Sequence, residues 1–231
     1  MKYDNVYEAK FISRPNRFIA KVEIGGKTET VHVKNTGRCK EILKEGCKVY
    51  LTRCESENRK TAYDLIAAEK ARENRPPLLI NIDSQAPNKA AEKWLKSGKF
   101  FSPDAEVKRE VKYRNSRFDF YIEDKGEKIF LEVKGVTQEF DGKATFPDAP
   151  TERGIKHIEE LISCRKEGFK AYILFVIQMK EIDSFTPNSH IHKEFAEALK
   201  KAQKEGVSIL AFDCFVTPDT MEISEKVEVI L

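Results

Sequence analysis

Two runs of alternating apolar and polar residues, Phe18-Ile19-Ala20-Lys21-Val22-Glu23-Ile24 and then 28–33, flank a Gly25-Gly26 pair. Strand side chains point alternately to the two faces, and Gly-Gly readily adopts the positive φ of a tight turn, so a hairpin is predicted. After Asn35-Thr36-Gly37-Arg38 the chain gives a short helical turn at Glu41-Ile42-Leu43, then further strands over 48–54 and 61–68. Several closely spaced strands with one helical insertion suit a small barrel. Arg75-Pro76-Pro77 interrupts the pattern and reads as a hinge, dividing the chain into domains at 1–80 and 81–231.

The second part has different periods. It predicts a helix over 88–97, strands over 105–113, 117–122 and 128–134, and an amphipathic helix over 151–166 with Ile155, Ile158, Leu161 and Ile162 on one face. Pro147-Asp148-Ala149-Pro150-Thr151 announces that helix with proline and capping-type residues. A buried strand over 171–177, a helix over 193–204 and a strand over 207–212 complete an α-β-β-β-α-β order with an α-β extension. The fold class is therefore α+β or α/β, a small barrel followed by an α/β domain with a mixed sheet.

Composition narrows the function. The 231 residues are enough to bury a real core, and no run of 18 apolar residues occurs. Met1-Lys2-Tyr3-Asp4-Asn5 lacks the apolar stretch of a signal peptide, so the cytoplasm is the expected compartment and no membrane is expected as a partner. Cys39, Cys47, Cys54, Cys164 and Cys214 are odd in number and scattered, which speaks against a disulfide framework or a structural zinc. Net charge is only +3, so a phosphate-binding surface must come from local clusters. Arg14, Arg17 and Lys21 form one; Lys108, Arg109, Lys112, Arg114 and Arg117 form another, both with acids interleaved.

The chemistry concentrates at Ser116-Arg117-Phe118-Asp119-Phe120 and Ile129-Phe130-Leu131-Glu132-Val133-Lys134-Gly135. Residues two apart on a strand share a face, so Glu132 and Lys134 project together while Leu131 and Val133 enter the opposite layer. Asp119 is expected to oppose Phe118 and Phe120 in the same way. Two carboxylates on one sheet edge make a hard oxygen site for Mg²⁺ or Mn²⁺, and a lysine beside them can serve an attacking water. Glu-x-Lys also occurs at Glu8/Lys10, Glu106/Lys108, Glu110/Lys112 and Glu123/Lys125. The apolar run before Glu132, the glycine after Lys134 and the acid on the preceding strand distinguish this copy.

Several motifs occur in a familiar order. Arg14-Pro15-Asn16-Arg17-Phe18, Asn35-Thr36-Gly37-Arg38, Val111 to Asp119, Glu132-Val133-Lys134-Gly135-Val136-Thr137 and Phe146 to Gly154 resemble the sugar fermentation stimulation protein family. The order of elements resembles the PD-(D/E)XK, restriction-endonuclease-like nuclease superfamily, although Phe118 stands where a proline often precedes the first acid. The resemblance implies a prokaryotic DNA-binding protein linked to regulation of sugar, notably maltose, metabolism. It also implies an N-terminal OB-like barrel joined to a nuclease-like domain.

As a nuclease-type site, Asp119, Glu132 and the Val133 carbonyl hold one or two Mg²⁺ or Mn²⁺, Glu92 completes the metal shell, and Lys134 serves the water. Gln178 ends the buried strand and points toward the same site, or else caps its neighbours. Arg153 and His157 share a helix face, and Arg153 is preferred as the residue reaching a scissile phosphate. His190 and His192 read as surface residues. Nucleic-acid contact is assigned to Arg14, Arg17, Phe18, Lys34 and Arg38 on the barrel and to Arg114 and Arg117 beside the acids. The reading is a DNA-binding protein with a metal-dependent nuclease-type site, DNA being preferred to RNA as partner. A purely regulatory DNA binder and an RNA-binding or RNA-processing protein are its rivals. Oligomeric state is left open, a homodimer included.

Overall fold

The computed structural model describes residues 1–54, 59–73 and 75–231. Alternation builds the first sheet from β1 (Val6–Asn16), β2 (Ile19–Ile24), β3 (Lys27–Val33), β4 (Lys48–Arg53), β5 (Tyr63–Arg72) and β6 (Arg75–Asn81). Gly25 and Gly26, at φ +57° and +74°, make the tight β2–β3 turn at the positive angles that other residues resist. β1 pairs with β2 and β4, β2 with β3, and β4 with β5. A short parallel contact, His32↔Asp64 and Val33↔Leu65, joins β3 to β5 and closes the ring. Ala20, Val22, Val31, Val49, Leu51 and Leu65 fill its interior with almost no exposure.

The predicted hinge is a strand. Pro76 and Pro77 lie in β6, which pairs with β5 on one side only, so the missing proline N–H groups cost no ladder bond. β6 then runs into the second domain, where the Asn81 N–H donates to the Gln178 carbonyl at 3.0 Å.

Beyond it come α1 (Ala86–Leu95), β7 (Glu106–Tyr113), β8 (Ser116–Asp124), β9 (Glu127–Val136), β10 (Gln138–Phe140), β11 (Lys143–Phe146) and α2 (Glu152–Lys166). β12 (Lys170–Ile177), β13 (Ser184–Pro187), α3 (Lys193–Lys204), β14 (Ser208–Thr217), β15 (Thr220–Lys226) and β16 (Glu228–Val229) follow. The main sheet runs β15-β14-β12-β9-β8-β7, with β9, β12 and β14 parallel and the flanks antiparallel. That is the mixed sheet and the α-β-β-β-α-β order expected. Short β10, β11, β13 and β16 make a small second sheet, too brief to show a period in the sequence.

Helices cover both faces. Ile158, Leu161 and Ile162 of α2 pack in the cluster that holds Ile173 and Phe175, while Ala90, Ala91 and Leu95 of α1 pack in the one that holds Leu131, Val133 and Leu174. Thr151 caps α2, its hydroxyl accepting from the Gly154 N–H at 3.1 Å. His192, expected at the surface, is buried: its Nδ1 takes the Thr151 N–H at 3.2 Å and ties the start of α3 to the start of α2. The five cysteines are free thiols. No helix among the described residues is long and apolar enough to cross a membrane.

The two halves are welded. One apolar cluster includes barrel residues such as Val22 and Leu65 together with Phe118, Ile158 and Phe175. The Met1 ammonium donates to the Met221 carbonyl at 2.7 Å, and the buried Gln178 amide donates to Asn81 Oδ1 and to the Asn81 and Asp83 carbonyls. Calorimetric unfolding is therefore expected as one transition. Two resolved transitions, one for each half, would contradict a shared core.

Candidate active site

Asp119 sits where the β8–β9 ladder ends. Pairing runs from Asp124↔Glu127 to Phe120↔Leu131 and stops. On the other side, the β7–β8 register skips Glu110, which stands opposite Asp119 and has φ +54°. β8 twists at this point, so Phe118 and Phe120 enter different layers: Phe118 packs with Tyr113, Phe130 and His157, and Phe120 lies in the α1-side cluster. Asp119 therefore does not simply oppose both phenylalanines, as regular alternation predicts. Its carboxylate continues the interrupted ladder: Oδ2 accepts the Val133 N–H at 2.8 Å, and Oδ1 accepts Asn88 Nδ2 at 2.7 Å.

Glu132 lies on β9, one of the inner strands of the main sheet, and is only 3% exposed. Its Oε1 accepts from Lys134 Nζ at 2.6 Å and meets His157 Nδ1. Its Oε2 is buried with no hydrogen-bond partner among the described residues. Burial pushes the Glu132 carboxyl up, but His157 and Lys134 outweigh it and hold the group below the usual carboxylate range. Asp119 goes the other way: burial first, then the Glu132 charge, raise it above its ordinary value. The two neighbouring carboxyls are thus shifted in opposite directions, Glu132 toward its charged form and Asp119 toward its neutral one.

The other candidates fall into two groups. His157, ranked behind Arg153 in the sequence, is the α2 residue at the acids; Arg153 is exposed on the first turn. The signal was its place on the apolar face, one residue from Ile158. From α1 it is Asn88 that reaches Asp119, whereas Glu92, one turn on, pairs with Lys96 at 2.7 Å and Arg109 at 3.1 Å. Nothing in the sequence distinguished Asn88. Gln178 spends its amide nitrogen on Asn81 and Asp83, the capping fate weighed beside the catalytic one. Its Oε1 faces Gly135, where an added Cβ would fall 2.6 Å away and equally close to Pro87.

On the barrel, Arg14 is a brace. Its terminal nitrogens donate to the carbonyls of Arg17, Asn35, Gly37 and Arg38 at 2.6–2.8 Å, leaving no terminal nitrogen open to phosphate. Lys34 neutralises buried Asp64 at 2.8 Å and lies 3.8 Å from Asp83. Arg114 pairs with Glu167, and Arg117 with Glu110 at 3.4 Å. Arg17, Phe18 and Arg38 remain exposed.

A cleft of about 150 Å³ separates Asn35, Thr36, Gly37 and Ser84 from Gly135 and Gln138, and so ends at the residue after Lys134. Among the described residues no group of three or more His, Cys, Asp and Glu side chains is arranged to hold a metal. Of the acids that could hold a divalent cation, Glu132 offers an oxygen with no donor among the described residues, while both oxygens of Asp119 already accept hydrogen bonds.

Comparison with known proteins covers both halves. A family model for the sugar fermentation stimulation protein RE domain matches residues 85–220, and one for the SfsA N-terminal OB domain matches 12–75. A sugar fermentation stimulation protein homolog of Ruminiclostridium cellulolyticum is 54% identical over 229 residues, 99% of each chain. Another, of Clostridium beijerinckii, is 52% identical over 231 residues and the whole of both chains. The solved structure of Pyrococcus furiosus SfsA in complex with Ca²⁺ superposes with a TM-score of 0.86 at 29% identity, covering 100% of this chain and 98% of that one.

His157→Ala removes the largest of the interactions that keep Glu132 ionised. The expected cost is about 1–3 kcal/mol at neutral pH, read from urea unfolding. Glu132 has a lowered folded pKa, so this contribution is present above the unfolded carboxylate range and fades as pH falls through the folded value. A cost independent of pH between neutral and strongly acidic solution would show that His157 serves packing alone.

Proposed function

The chain belongs to the sugar fermentation stimulation protein family, and from that premise we propose that it binds DNA and hydrolyses phosphodiesters at Asp119, Glu132 and Lys134 with a divalent metal. The observation that carries the reading is the unpartnered Oε2 of Glu132, buried beside a second carboxyl that resists ionisation. Such an arrangement costs stability unless a cation completes it.

Asp119 and Glu132 would hold the metal, with the Val133 carbonyl as a further ligand. A Mg²⁺ or Mn²⁺ held there would supply positive charge and Lewis acidity to the reaction. Val133 N–H and Asn88 fix the rotamer of Asp119. His157 and Lys134 keep Glu132 charged, and the Lys134 ammonium, 16% exposed, can turn from Glu132 toward water or a phosphate oxygen. The OB domain supports a nucleic-acid partner, and the Ca²⁺ of the Pyrococcus furiosus relative supports a cation of this class. DNA is preferred to RNA, as the resemblance read from the sequence motifs implies. Regulation of sugar metabolism, maltose included, is in this reading a consequence of DNA binding.

One observation favours a second reading, a regulatory DNA binder without catalysis: Lys134 and His157 already share Glu132 Oε1, and no third acid joins among the described residues. Labelled DNA and RNA incubated with Mg²⁺ or Mn²⁺ separate the two. Cutting of DNA that needs metal and falls at least 100-fold in Asp119→Ala and Lys134→Ala is expected, together with a metal-dependent rise in melting temperature that Glu132→Ala abolishes. DNA binding with neither cutting nor a thermal shift would establish the regulatory reading instead.

A further inference from the structure

Resting on the DNA-binding reading, we infer that the DNA this protein takes is a single strand, led from the β1–β2 turn across the Thr36-Gly37 segment into the interdomain cleft, with one base seated at the barrel mouth. A pocket of about 300 Å³ opens there, floored by Phe11 and Leu43 and rimmed by Arg17, Arg38 and Lys40. An apolar floor with a cationic rim matches a base with its flanking phosphates. None of these three cations pairs with an acid among the described residues, in contrast to Lys34, Arg114 and Arg117. Phe18, in the β1–β2 turn, is 50% exposed with the Arg17 guanidinium 5.4 Å from its ring centre, a platform on which a further base can stack.

The track is continuous. Thr36 and Gly37 line both the barrel-mouth pocket and the cleft whose opposite wall is Gly135. It is also narrow and fixed. Arg14 grips the 35–38 segment through its backbone, Asn35 Nδ2 donates to the Ile82 carbonyl at 2.9 Å, and Ser84 bonds the Lys34 carbonyl at 2.5 Å. β6 and Gln178 tie the two walls of the cleft together, the Asn81 N–H donating to the Gln178 carbonyl and the Gln178 amide to the Asn81 carbonyl. At about 150 Å³ the cleft has room for about one base, and a base can enter it only when unpaired and unstacked.

The test is fluorescence anisotropy with labelled oligothymidylate, a DNA duplex of the same length and oligouridylate, in chelator so that no cutting intrudes. The protein is expected to hold the single DNA strand at least tenfold tighter than the duplex. Arg17→Ala/Arg38→Ala/Lys40→Ala is expected to lower the slope of log affinity against log salt by about 2, near 0.7 for each lost phosphate contact. Phe18→Ala should weaken binding about tenfold. Equal or tighter binding of the duplex, preference for oligouridylate, or unchanged affinity and salt slope in the barrel variants would overturn the inference. If duplex DNA is both bound and cut with metal, the proposed function stands and only this route fails; if no DNA binds, both fail.

Discussion

A carboxylate on an inner strand governs this molecule. Removing an ion from water costs several kcal/mol, and the cost is offset only by partners of good geometry. Glu132, 3% exposed, has two: Lys134 from its own strand and His157 from α2. The second requires α2 to lie across β9 at one depth, and Thr151, Gly154 and His192 set its starting point. Gly154 has no room for a side chain, since an added Cβ would sit 2.9–3.0 Å from Thr151 and Phe195. The acid's second oxygen has no hydrogen-bond partner among the described residues.

Asp119 is shaped by the same economy of backbone bonds. A strand that ran regularly through residue 119 would pair with β9 and keep its carboxyl away from the Val133 N–H. The twist at Phe118–Phe120, matched by the positive φ of Glu110 across the β7–β8 ladder, ends the pairing early. The carboxylate then takes the N–H that the ladder would have used. A left-handed non-glycine residue is tolerated where its neighbours hold it, and such places gather at functional sites.

The barrel contributes position as well as surface. Because β6 continues from the β5 hairpin directly to the Asn81–Gln178 contact, the 35–38 segment faces Gly135 at a set distance. Arg14 and Lys34, which look like phosphate ligands in the sequence, spend their charge on that architecture, one on backbone carbonyls and the other on buried Asp64 and Asp83. Arg17, Arg38 and Phe18 stay exposed around it.

Local pattern was enough for the α-β-β-β-α-β order, the barrel hairpin, the α3 bounds and the pairing of Glu132 with Lys134, because each depends on a period of 2 or 3.6 that the chain itself carries. The sequence also located Asp119 on the strand before. It misjudged residues whose role depends on a distant partner. Pro76 and Pro77 mark a hinge by local rules, yet an edge strand accepts them. Arg14 and Arg153 look equally cationic, and only the carbonyls around Arg14 show that it is spent. Asn88 and His157 reach the acids from helices 31 and 25 residues away in the chain from the groups they bond. Periodicity says which face a residue occupies; which partner waits on that face is decided by packing between elements far apart in sequence.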